Sequence, residues 1–345
     1  MSSIDQNTYE KHSQAALHWI KASLDVHDGQ GSAAFYSRVR YPFKGWAPPY
    51  PETTGYLLET LYQYQDEADW IKQAIPTIID WLLSVQQDSG AFPALYANSG
   101  KPSIFNSGMI LFGMAAAHEA QEDPRILQAM RRAVSWIMDQ LSTEDCWLEA
   151  QSPTYYSRVI WALLICEKWL PDLPLRVRMR PVLDTYLDRV TLQYSFRGWG
   201  FNASDQAFTH TIAYTLRGFW EAGQLLENQR AILHVRESLS RFIHTCHSKG
   251  IAGEYDLNWV GNHRFQCLTG NLQLALLCFR IGEDYAKTGF RLIQETLPHQ
   301  QLNPGKKIVG ALPGSVPFSG PYQRFKYPNW GLKFLLDALK AANIY

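Results

Sequence analysis

Apolar residues recur along this chain in two alternating patterns. In the first they return at intervals of three and four. Trp70-Ile71, Ile75, Ile78-Ile79 and Leu82-Leu83 share one helical face, with Lys72 and Asp80 between them. This pattern predicts amphipathic helices over roughly 7–24, 67–87, 124–141, 173–191, 228–248 and 284–297. In the second pattern the residues are apolar or small on nearly every side, as in 109–117 and 159–165. A helix without a polar face is a buried one.

Each buried run opens on a short polar segment. Tyr50-Pro-Glu-Thr-Thr-Gly-Tyr56 leads into Leu57, and Asn106-Ser-Gly108 into Met109. Ser157-Arg158, His210-Thr211, Thr269-Gly-Asn271 and Asn329-Trp330 do the same farther on. With residues 54, 107, 157, 211, 270 and 330 as markers, the spacings are 53, 50, 54, 59 and 60. Six near-equal periods, each of one buried and one amphipathic helix, predict a repeat architecture in which no hairpin buries its apolar face alone. The predicted fold is all-α: an (α/α)6 toroid spanning 1–345 as one domain, with six buried helices inside six amphipathic ones. No strand pattern of useful length opposes it.

The connections are asymmetric. Inner-to-outer links are short. Outer-to-inner links (25–52, 88–106, 142–156, 192–210, 249–269 and 298–329) are long and rich in Gly, Pro and aromatics. Up-and-down topology sets all six long loops on one face, with the N-termini of the inner helices. Those termini present unpaired N–H groups and partial positive charge. Long loops on a rigid scaffold are where function gathers.

Composition narrows the chemistry. Hydrophobic residues make up 46% and charged residues 19% of 345, as in a folded protein, and the formal net charge is +0. Bulk electrostatics therefore favours neither nucleic acid nor a membrane surface. No apolar run is long enough to span a bilayer, and no signal peptide is visible. Five unclustered cysteines read as reduced thiols in the cytoplasm. No nucleotide loop or trusted zinc spacing occurs, so no cofactor and no metal are expected. The lanthionine cyclases, which share a double-ring toroid, carry zinc-binding elements that are absent here.

The loop face collects the candidate groups. Trp46, Trp147, Trp199, Trp259 and Trp330 lie in or at the end of the loops, beside Arg38, Arg40 and Lys44 in the first and Lys306, Lys307, Arg324 and Lys326 in the sixth. Aromatic faces interleaved with polar and charged edges suit a sugar. Glu52 at the start of the first inner helix is either a dipole-favoured carboxylate above a Thr53 or Thr54 cap or a catalytic acid/base. His210 is a candidate base or ligand contact. The segment Gly253–Asn271 is the densest polar cluster: Glu254 or Asp256 as a carboxylate partner for Glu52, Tyr255 as a base, and His263 and Arg264 for an anionic group. Arg158 is a cation at a helix N-terminus, which a bound carboxylate or phosphate, or pairing with Glu149, would explain. Asn106, Asn271 and Asn329 read most simply as N-caps, with Asn106 and Asn329 also candidates for substrate contact.

The motifs Tyr50-Pro-Glu-Thr-Thr-Gly-Tyr56, Thr209-His-Thr-Ile-Ala-Tyr-Thr215, Cys267-Leu-Thr-Gly-Asn271 and Tyr327-Pro-Asn-Trp330 resemble a family of bacterial toroid proteins. These VpsJ-like proteins are typically encoded among genes for exopolysaccharide, capsule or O-antigen synthesis. The resemblance covers nearly the whole chain. It implies a six-hairpin glycosidase-like fold and a role in polysaccharide metabolism, without an assigned reaction. Asn106 stands where that family pattern leads one to expect Asp. More distantly the chain looks like unsaturated glycuronyl hydrolases, N-acylglucosamine 2-epimerases and toroid polysaccharide lyases.

The expected function is glycoside hydrolysis of an acidic glycan, with Glu52 and Asp256 as the carboxylate pair. Lyase or epimerase chemistry on a uronate competes, using His210 or Tyr255 as base and Asn106, Arg158 or Arg264 to neutralise the substrate carboxylate. A non-catalytic glycan-binding scaffold is a further alternative. A terpenoid-cyclase-like toroid ranks last for want of an Asp-rich motif. The oligomeric state is not legible.

Overall fold

The computed structural model describes residues 3–147, 152–201, 206–282, 285–305 and 307–344. Among these, six outer helices are α1 (Gln6–Asp25), α3 (Asp69–Val85), α5 (Pro124–Asp139), α7 (Leu175–Leu187), α9 (Gln229–Lys249) and α11 (Tyr285–Thr296). Six inner helices are α2 (Pro51–Tyr64), α4 (Ile104–Gln121), α6 (Ser157–Cys166), α8 (Thr209–Leu225), α10 (Leu268–Ile281) and α12 (Asn329–Ile344). Each inner helix packs on the next, and α12 packs on α2, closing a ring. Each also packs on an outer helix. The sixth such pair joins the two chain ends, α12 against α1.

This arrangement is the (α/α)6 toroid that the periodicity predicts. Its inner wall is tight because small residues lie where helices meet. At Gly113 any side chain would drive into the Gly55 carbonyl of the neighbouring α2. Asn329, at the start of α12, fastens the closure. Its Oδ1 accepts from the Trp19 indole at 2.8 Å, and its Nδ2 donates to Ser32 Oγ and to the Ala33 carbonyl.

One feature escaped the sequence. Six two-residue strands stitch the long loops together: β1 (Phe35–Tyr36) with β6 (Tyr327–Pro328), β2 (Ala207–Phe208) with β3 (Glu254–Tyr255), and β4 (Gln266–Cys267) with β5 (Ser315–Val316). Two residues are too few for an alternating pattern to register. Three of these strands, β2, β4 and β6, run straight into inner helices, so the ladders fix where α8, α10 and α12 begin.

Side-chain caps close some helix starts and not others, with Ser103 capping α4 in the inner ring and α3 and α7 without such a cap in the outer one. The N-cap side chains Asp5, Asp123 and Asn228 close the starts of α1, α5 and α9. The inner helices α2, α6, α8 and α10 have no N-cap side-chain bond. Amide groups at those starts thus remain directed toward the loop face.

Candidate active site in the pit at the inner-helix starts

A pit of about 310 Å³ opens on the loop face. First-turn residues of α2, α8 and α12 line it, with Tyr155 from the segment entering α6. Helical spacing sets two of its walls. Glu52 and Tyr56 lie one turn apart on α2, and His210 and Tyr214 one turn apart on α8, so each pair descends the same inward face. Tyr155 and Tyr214 stack at 5.0 Å between ring centroids, and Tyr322 stands 5.3 Å from the His210 ring. The walls are thus largely phenolic, apolar on their faces and hydrogen-bonding at their tips.

Glu52 is the one carboxylate lining the pit among the described residues. It is 8% exposed, and burial pushes its pKa up to about 7 against the opposing pull of a Tyr50 hydrogen bond and the Arg158 charge. Such a carboxyl is close to half-protonated at neutral pH and able both to give and to take a proton. The Tyr50 phenol, raised by burial and by Glu52, also meets the side chain of Asn106.

His210 is held from both sides. Its Nδ1 lies 2.9 Å from Gln273 Oε1, and its Nε2 lies 3.2 Å from the Tyr155 hydroxyl. With the Gln273 amide oxygen facing it, Nδ1 carries the ring proton, so the Nε2 lone pair accepts from Tyr155. Burial lowers the His210 pKa to about 4, so the ring is neutral near pH 7. The Tyr155–His210 pair is therefore a neutral polar anchor facing Glu52 across a ring of phenols. Lys326 lines the same pit, with its ammonium 4.3 Å from the Phe35 ring centre and bonded to Gln323. Among the basic loop residues predicted here, Arg38 instead spends its guanidinium on the Pro42 and Phe43 carbonyls.

Of the residues singled out from the sequence, the structure brings Glu52, His210, Lys326 and Trp330 into the pit. The Trp330 indole donates to the Tyr322 hydroxyl at 2.9 Å. The expected Glu52–Asp256 pair is not assembled. The Asp256 carboxylate accepts from the Asn258 and Val260 amides, both at 2.8 Å, and closes an Asx turn in its own loop. Glu254 is likewise bonded locally, to Asn262. Tyr255 is fully buried, its hydroxyl accepting from the Ala252 amide, and His263 and Arg264 are exposed outside the pit lining.

Trp46, Trp199 and Trp259 brace the loops. Trp46 packs on Trp19 at 4.6 Å, Trp199 meets Trp259 edge-on at 5.3 Å, and the Trp259 indole donates to the Gln193 carbonyl. The asparagines do not cap as expected. Ser103 caps α4 by accepting from the Asn106 amide, while Asn106 Nδ2 donates to the Pro93 carbonyl. Asn271 lies inside α10, and Asn329 is the closure bolt described above. Arg158 does not line the loop-face pit; it lies against a second cavity at the other end of the ring axis. Glu149 and Lys306 lie outside the described residues.

The phenols of Tyr56 and Tyr214 are lining residues that the sequence did not single out. Their one-turn spacing from Glu52 and from His210 was the available signal. Among the described residues, no group of three or more His, Cys, Asp or Glu side chains is placed to hold a metal ion, and no helix is long and apolar enough to cross a membrane.

No protein-family model matches the chain, and no curated protein sequence matches it. Solved structures do. An unsaturated glucuronyl hydrolase specific for heparin matches at a TM-score of 0.75 with 12% identity, covering 99% of this chain and 98% of that one. An alpha-amylase from Clostridium perfringens matches at 0.72 with 10% identity, over 98% and 99% of the two chains. The cellobiose 2-epimerase of Bacillus thermoamylovorans matches at 0.70 with 11% identity, over 97% and 100%. At such identities the likeness establishes the fold, an (α/α)6 toroid of the glycosidase-like kind over essentially the full chain.

Proposed function

We propose that this chain is a carbohydrate-active enzyme that acts on an acidic sugar through one acid/base, Glu52. The observation that carries the reading is a single carboxyl, poised at about 7, inside an aromatic pit at the inner-helix starts. Hydrolysis of an ordinary glycosidic bond uses two carboxyls about 5 to 9.5 Å apart. The pit supplies one, so the chemistry that fits it is proton transfer at a sugar carbon.

A terminal unsaturated uronyl residue meets that requirement. Its ring double bond is an enol ether. One proton from Glu52 to the ring carbon leaves an oxocarbenium ion, and water adds to that ion at the other carbon of the double bond. The adduct collapses to release the next sugar, and Glu52 recovers its proton from the added water. The Tyr155–His210 pair would hold a ring hydroxyl, and Lys326 would meet the uronate carboxylate. Similarity of fold to glucuronyl hydrolases supports this reading by analogy.

The setting we infer is bacterial polysaccharide metabolism, after the resemblance to proteins of exopolysaccharide gene clusters. Five free thiols fit a reducing compartment such as the cytoplasm. The test is incubation with oligosaccharides ending in an unsaturated uronyl unit, read by mass and by loss of the conjugated double bond. Gain of one water with release of the terminal unit, abolished by Glu52→Gln with binding retained, is the expected result. Unchanged mass together with no deuterium uptake from heavy water would overturn the enzymatic reading and leave a glycan-binding protein.

A further inference from the structure

A second cavity, of about 320 Å³, opens at the other end of the ring axis, toward the inner-helix C-termini. Five cations, Arg158, Arg217, Arg280, Lys333 and Lys340, and two carboxylates, Glu59 and Asp337, line it. Four of the cations are matched. Arg217 and Arg280 share Glu221 at 2.6 and 2.9 Å, Lys333 lies between Glu59 and Asp337, and Lys340 reaches Glu67 at 3.4 Å. Arg280 also sits in the last turn of α10, where the helix dipole favours a cation.

Arg158 has no such account. It is the second residue of its helix, where a cation opposes the dipole. It is 6% exposed and makes no salt bridge among the described residues, although Glu52 and Glu59 feel its charge from farther off. Its Nε is buried without a hydrogen-bond partner. Around its guanidinium stand the rings of Tyr214, Trp161 and Phe112, at 4.3, 4.9 and 5.1 Å. Aromatic faces offset part of the cost of burying a cation but supply no anion. A buried, unpaired guanidinium at the floor of a cavity rimmed by further cations is a receptor for a planar or tetrahedral oxyanion.

We propose that this second cavity is a binding site for a small organic anion, whose carboxylate or phosphate sits on Arg158 and whose body lies against Trp161 and Phe334. The cavity is at the lower end of the size range of small-ligand sites, so the ligand is of monosaccharide size. The site shares no lining residue with the loop-face pit, although the Arg158 charge is felt at Glu52, and it does not depend on the reaction assigned to Glu52.

The test is calorimetric titration of the full chain with sodium glucuronate and, separately, inorganic phosphate at constant ionic strength. Saturable binding is expected for at least one probe; which one binds distinguishes a carboxylate from a phosphate ligand. Binding should be retained or tightened in Glu52→Gln, which removes a neighbouring negative charge, and affinity should fall about tenfold or more in Arg158→Met. Because Arg158→Met risks misfolding, Gln63→Glu supplies a second reading. Gln63 is exposed and lines the cavity, and a negative charge there should weaken binding severalfold in a fully folded protein. Absence of saturable binding for both probes, or binding that Arg158→Met and Gln63→Glu leave intact, overturns the proposal. So does binding that Glu52→Gln abolishes, since it would then belong to the loop-face pit.

Discussion

The Nε2 of His210 lies 3.2 Å from the hydroxyl of Tyr155, tying the first turn of α8 to the segment that enters α6. With Gln273 on the other nitrogen, the ring joins three neighbouring parts of the inner wall while remaining neutral. That has a consequence for acid stability. The folded-state pKa, about 4, lies below the ordinary 6.5, so the unfolded chain binds the proton more readily. The stability is therefore complete above 6.5 and is lost as pH falls toward 4, by up to about 3 kcal/mol. His210→Gln should flatten this part of the stability curve, as followed by denaturant midpoints between pH 7 and 4. An unchanged slope would mean that the ring is not held neutral.

Glu52 carries the opposite sign. Its folded-state pKa of about 7 exceeds the ordinary 4.5, so the folded state holds the proton longer. Stability falls as pH rises from 4.5 to 7, and above 7 the buried charge costs up to about 3 kcal/mol. Glu52→Gln is expected to raise the melting temperature at pH 8 and to change it little at pH 4.5. The same variant should lose about 10²–10⁴-fold in turnover, the usual worth of a positioned acid/base. Melting curves and kcat at the two pH values check both halves. A gain in stability without a loss of turnover would make Glu52 a merely buried residue.

The fold was legible because it rests on repetition. The amphipathic period around Ile71, Ile75 and Ile78 and the all-apolar run after Met109 each belong to a helix, and six repeats leave few ways to bury both. Glu52 and His210 were legible for the same reason, since the repeat sets each in the first turn of an inner helix on the loop face. The loops were not. The spacing of Asp256, Asn258 and Val260 suits a substrate cluster as well as the self-bonded turn found here, because both use the same polar residues. Arg158 was placed on the right helix, but sequence alone does not say which way along the axis a long side chain lies.

Asn329 separates a structural from a binding role. Its amide lies where the ring closes, between Trp19 on α1 and the Ser32 hydroxyl and Ala33 carbonyl, and it does not line the pit. Asn329→Ala leaves the Trp19 indole without its acceptor, an expected loss of about 1–3 kcal/mol in stability. KM should stay within about twofold of the parent well below the melting temperature, since an effect below 0.5 kcal/mol is what remote sites show. Urea unfolding and substrate titration on the same preparation test this. A tenfold rise in KM at unchanged stability would return Asn329 to the substrate.

Asp256 gives the sharpest contrast with Glu52. Both are acidic residues near the loop face, but one carboxyl is buried in the pit and the other accepts two amide hydrogen bonds within its loop. An asparagine oxygen can accept the same two bonds, so Asp256→Asn should fold and should leave kcat/KM within about threefold, under 1 kcal/mol of transition-state energy. Measured beside Glu52→Gln on the same unsaturated uronyl substrate, the pair distinguishes one-carboxyl from two-carboxyl chemistry. A loss of a hundredfold or more in Asp256→Asn would require its loop to swing into the pit during turnover. That result would restore hydrolysis by a carboxylate pair as the reaction.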